Sequence, residues 1–183
     1  MDSAKFTTVE LAALVVDACS WLRQKRSEFL PSGVPLSNIQ KTDLSQFFPA
    51  KVLDAVRIVN LAKTGKNIPH PPFYERVRAG GQRVVPDAAH MAAMPFIDVV
   101  VFNNEPTLRT IFHNLVHVTQ FAVVGVEKAM ECYFRVLNES GVWMVVPFEE
   151  QAYRMDARYT RDPNDFFSVE EEIRDWLHNG QYS

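Results

Sequence analysis

The sequence predicts a single α+β domain, mostly helical, built around one buried helix and a small sheet. Three observations carry this reading. Apolar residues recur at helical spacing in six separate segments. Only the run from Met94 to Phe102 has the β-branched density of a strand. Prolines and glycines fall between these segments rather than inside them. The chain has 183 residues, 47% of them hydrophobic, enough for one sizeable core. We expect residues 1–183 to form one domain, with about 1–45 as an N-terminal helical part and 46–183 as the core.

The formal charge of −3 leaves no electrostatic footprint for nucleic acid. Cys19 and Cys132 are far apart, each in apolar helical context, and read as buried free thiols suited to a reducing compartment. The start, Met1 to Lys5, lacks a basic signal-peptide region, and Glu10 and Asp17 interrupt the apolar run that follows. No segment reads as a membrane span, so the expected location is cytoplasmic, with no membrane or nucleic-acid partner. Nothing in the pattern sets the oligomeric state.

Thr7 to about Leu30 is an amphipathic helix opened by a Thr7-x-x-Glu10 capping box, with Leu11, Leu14, Val15, Ala18, Trp21, Leu22 and Phe29 on its apolar stripe. Arg23, Lys25 and Arg26 near its end complement the helix dipole. Pro31 to Pro35 breaks the chain. A second helix is expected from Pro49 to Lys63, stopped at Gly65, with Phe47 and Phe48 as anchors before it. Ile68 to Tyr74, with prolines at 69, 71 and 72, reads as extended, and His70 and His90 as isolated surface histidines. Met94 to Phe102 is the best strand, with Val84-Val85 as a short candidate partner. Pro106 to Gly125 is the central helix, proline at its first position and glycine just past its end. Val126 to Asn138 is a further helix ended by Gly141. Val142 to Val146 is a strand or a buried loop. Pro147 opens a helix to Tyr159, and Ser168-x-x-Glu171 caps a last one through Leu177.

The central helix carries the chemistry. Leu108, Ile111, Leu115, Val118, Ala122 and Val123 mark it as largely buried, and His113 and His117 sit in that apolar setting. At i and i+4 they lie about 40° apart around the axis and about 6 Å apart along it. Two imidazoles so placed reach one metal ion, and this is the ligand spacing of the zinc motif His-Glu-x-x-His. Here the glutamate position holds Asn114. That glutamate is the proton acceptor on which metal-assisted hydrolysis depends, and an amide has no such basicity. A three-ligand zinc site needs one more donor. Glu149 and Glu150, in the first turn of the helix opened by Pro147, are the candidates, although acidic residues favour that turn in any case.

The pattern His113-x-x-x-His117-Val118-x-Gln120-Phe121, followed by Pro147-Phe148-Glu149-x-x-Ala152-Tyr153, resembles small bacterial gluzincin-type metallopeptidase-like proteins. Their motif is His-Glu-Leu-Val-His-Val-x-Gln, then Pro-x-Glu-x-x-Ala-Tyr. The resemblance extends from about residue 45 onward. It implies a zincin-like fold, with the active-site helix under a small sheet and further helices before and after. It implies a zinc ion, or another divalent metal, on His113, His117 and Glu149, and it favours Glu149 over Glu150. Tyr153 stands where a gluzincin has aspartate. The strand before the metal helix would offer an edge to which a substrate backbone adds. The implied function is that of a metal-binding, metallopeptidase-like protein with weak or absent peptidase activity, its substrate a peptide or protein. The second reading is a pseudoenzyme that binds a peptide without cutting it. For residual chemistry, Glu150 or Glu105 is a stand-in base, and Tyr133 or Tyr153 a donor to an oxyanion.

Overall fold

A computed structural model describes residues 5–80 and 85–182. The chain is α+β and mostly helical. Its elements run α1 (Thr8–Phe29), α2 (Asn38–Leu44), α3 (Ala50–Ala55), β1 (Arg57–Asn60), α4 (Phe73–Ala79), β2 (Ala93–Phe96), β3 (Val99–Phe102), α5 (Leu108–Val124), α6 (Val126–Ser140), α7 (Pro147–Arg161) and α8 (Val169–His178). Single 3₁₀ turns cover Leu30–Ser32 and Trp143–Val145. No helix among the described residues is long and apolar enough to cross a membrane.

The sheet has the order β1-β3-β2, with β1 parallel and β2 antiparallel to the central strand. All four residues of β3 are buried, and they alternate between two cores. Val100 and Phe102 join the core formed with α3, α5, α7 and α8. Val99 and Val101 join the core formed with α1, α4 and α6. A strand covered on both faces needs apolar residues at every position, which is why Val99–Phe102 shows no alternation. α1 is packed along α6 as part of the second core, and Thr7 caps it in the expected reciprocal box with Glu10.

Three segments differ from the expectation. The Pro49–Lys63 helix stops at Ala55, and Arg57–Asn60 is strand β1. The turn to extended backbone comes at Val56, just where the β-branched residues Val56, Ile58 and Val59 cluster; parallel pairing with β3 then satisfies their backbone groups. Met94–Phe102 is a hairpin, not one strand: Ile97 turns with φ 65°, and Asp98 in the turn is held by the Arg26 guanidinium from α1. Val142–Val146 is neither strand nor buried loop, for Met144 and Val145 are half exposed and only Val146 is buried. Smaller corrections follow the same logic. Phe73 and Tyr74 open α4 instead of extending the proline segment, and α2, capped by Ser37 with Gln40, is a helix where no periodic segment is expected. Val84 lies outside the described residues, and Val85 is in no strand. Cys19 and Cys132 are buried free thiols.

Candidate metal centre

α5 is nearly surrounded, its middle buried from Ile111 to Gln120 except for His113, which is partly exposed. It starts at a Thr107–Thr110 capping box, with Leu108 its first residue, two later than Pro106 would set it. It ends at Gly125, whose φ of 90° lets α6 begin at the next residue. α7 packs against α5 and brings Glu149, in its first turn, to the histidine pair.

The three side chains converge. His113 Nε2 lies 3.2 Å from His117 Nε2, and a Glu149 carboxylate oxygen lies 3.6 Å from His117 Nε2. One ligand atom from each of the three falls within 4.8 Å of the others. Glu150 is exposed and outside the group. The carboxylate between the two is chosen by helix phase, 100° per residue, which turns adjacent side chains to different faces.

A buried polar chain sets the tautomer of His117. The Gln120 amide nitrogen donates to the Phe148 carbonyl and to Gln151 Oε1, both at 3.0 Å. Its oxygen therefore faces His117 Nδ1, 2.8 Å away, and that nitrogen must carry the proton. His117 Nε2 is left as a lone pair facing His113 and Glu149. Gln151 is held in turn: its nitrogen donates to the Glu172 carbonyl, and its oxygen accepts from the Tyr182 hydroxyl. On the other side, Asp156 is buried, grips Arg109 through two nitrogens at 3.0 Å, and places an oxygen 4.0 Å from His113 Nδ1. Gln120 entered the sequence reading only as part of a motif. Asp156, Gln151 and Tyr182 did not enter it at all. For Asp156 a signal existed, since seven residues after Glu149 is two helical turns on the same face.

Electrostatics follow from burial and from this convergence. Burial, then the charge of His117, pushes His113 down to about 4. Burial alone would lower His117 as well, but the Glu149 carboxylate and the Gln120 oxygen outweigh it and the net direction is up. Glu149 is lowered, its burial overcome by the two imidazoles. Two imidazole lone pairs and a carboxylate so close together repel one another unless a proton or a metal ion lies among them. The donor set of two histidines and one glutamate is that of a zinc site with an open position.

Asn114 is buried beside the ligands, its amide nitrogen donating to the Thr110 carbonyl at 2.8 Å. Tyr153 is 44% exposed, its ring 4.8 Å from that of His113. Glu105 is bound to Lys63 and Asn60 and does not line the site. His70 and His90 pair with Glu75 and Asp87 on the surface. The group lines a cavity of about 730 Å³ that runs between α1, α5 and α6. Its sheet wall is β2, through Ala93, Met94 and Pro95; β3, which leads toward the metal helix, is paired on both sides and has no free edge.

Compared with protein-family models, curated proteins and solved structures, the chain matches none.

Proposed function

We propose that this chain is a zincin-like domain that binds one divalent ion, zinc by its donor set, through His113, His117 and Glu149. We propose further that it holds a peptide-like ligand beside that ion with little or no hydrolysis. The observation that carries the reading is the convergence of the three acceptors, from two helices, on the wall of a deep cavity. When bound, such an ion polarises a carbonyl oxygen as a Lewis acid. The chain's own residues do the rest. Gln120 holds His117 with its lone pair toward Glu149, and Asp156 faces the outer nitrogen of His113. Tyr153 covers the His113 ring from the solvent side. Asn114 offers an amide where hydrolysis calls for a carboxylate, and losing a general base removes typically a factor of about 10²–10⁴ in rate. The carboxylates that line the cavity among the described residues are Glu149, occupied with the histidines, Asp156, occupied with Arg109, and Asp87, occupied with His90.

The test is the metal content of protein purified without added chelator or metal. Near-stoichiometric zinc, lost on His117→Ala, is the expected result. A metal-free protein that takes up no zinc from a modest excess would overturn the reading.

A further inference from the structure

The cavity beside the metal group holds a second polar feature. Tyr74, on α4, and Tyr133, on α6, both line it, and their hydroxyls lie 3.2 Å apart. Tyr74 is 4% exposed. Among the described residues neither hydroxyl makes another hydrogen bond. Two hydroxyls have two protons, and one bond between them uses one. The second proton has no acceptor on the described protein. Phe73 packs edge-on against Tyr74 and Phe134 against Tyr133, Trp21 and Met130 line the same cavity, and the charge of Glu149 reaches both phenols. Tyr133 is half-buried, and the free proton takes its acceptor from whatever occupies the cavity, since such a proton left without one is costly. Core packing alone would be served as well by phenylalanine at either position.

We propose that the cavity takes a neutral, largely apolar ligand bearing a carbonyl-type oxygen, and that this oxygen accepts the free proton of the Tyr74–Tyr133 hydroxyl pair. The apolar wall selects an aromatic or branched body, since each buried methylene favours binding and a buried charge opposes it. An uncharged peptide segment with a bulky side chain has this chemistry, its backbone carbonyl serving as the acceptor. The inference rests on the reading above in taking this cavity as the ligand site, but it needs no metal.

Propiophenone and propylbenzene share a skeleton and differ in the carbonyl. Both are titrated into metal-free protein, because a bound ion would itself polarise the ketone oxygen. Each is titrated into the full chain, with the amide and Trp21 indole resonances followed by NMR. Propiophenone is expected to shift the Trp21 indole, and Tyr74→Phe/Tyr133→Phe to weaken it about tenfold, the scale of one hydrogen bond, while propylbenzene changes less than about twofold. Each single phenylalanine variant keeps one hydroxyl and retains most of the ketone affinity. Met130→Trp, which fills the cavity, abolishes both. The proposal falls if neither probe binds, if the ratio of the two affinities is unchanged in the double variant, or if Met130→Trp binds as before. Zinc titration of the same samples separates the two readings. Zinc uptake without ketone binding leaves the metal centre standing and removes this proposal; ketone binding without zinc does the reverse.

Discussion

At the scale of single residues, the site divides into groups that hold and a group that is missing. Asn114 lines the same cavity as His113, His117 and Glu149, with its amide tied to Thr110, and under the proposed reading it stands where a hydrolase would have a carboxylate. Asn114→Glu is therefore expected to give cleavage of a broad peptide mixture that the parent does not show, followed by mass spectrometry of the products. If neither protein cleaves with zinc bound, the peptidase reading of the cavity is wrong. Gln120 acts one atom further out. Gln120→Met keeps the volume and removes the acceptor that fixes the His117 tautomer. Partners of this kind are worth about 10–100-fold in metal affinity. A competition titration against a chromophoric chelator should show a loss in that range, larger than any change in the melting temperature of the metal-free protein would imply. An unchanged affinity would mean that the Gln120–Gln151–Tyr182 chain is packing alone.

At the scale of elements, the linker after α1 is tied to the sheet by two hydrogen bonds between Val34 and Ile58, at 2.8 and 2.9 Å. That approach leaves no room beside Gly33, where a Cβ would lie 2.7 Å from the Arg57 Cβ. The Arg57 Cβ is held by the backbone of β1, so the clash cannot be relieved by a rotamer. Gly33→Ala is expected to destabilise the fold by about 1–3 kcal/mol, the usual cost of overpacking, read from the denaturant midpoint. A shift below about 0.5 kcal/mol would show that the bridge is loose. Periodicity located five of the eight α-helices among the described residues, with α5, α6, α7 and α8 ending within about two residues of their expected bounds. The remaining periodic segment, 49–63, departed from its expected helix because six residues of helix, one linking residue and four of strand present one continuous apolar pattern. Only the pairing of Arg57–Asn60 with Val99–Phe102, some forty residues away, separates them.

At the scale of the whole molecule, all five tyrosines respond to the two cores. Burial is the main cause in each case: Tyr74 is pushed up to about 12, Tyr133 well above its ordinary value, and Tyr153, Tyr159 and Tyr182 upward. The raised values mean that the folded state keeps protons which the unfolded chain releases near pH 10. Stability is present below that pH and declines as pH rises through 10 toward the folded values. Tyrosinate absorbance should therefore lag in the native protein and appear near pH 10 in denaturant; coincident curves would contradict the burial. The preference for Glu149 over Glu150 rests on the family resemblance, and the sequence by itself determined the mostly helical α+β class, the buried central helix and the histidine pair. These follow from local periods, 3.6 residues per turn and two per strand pleat, which repeat over short stretches and are visible without a partner. It did not determine the hairpin at Ile97–Asp98, the strand β1, the Asp156–His113 contact or the Tyr74–Tyr133 pair. The last three join segments tens of residues apart, and the hairpin turn is held by Arg26 from α1; their placement depends on the packing of two cores against a three-stranded sheet, a constraint that no local period records.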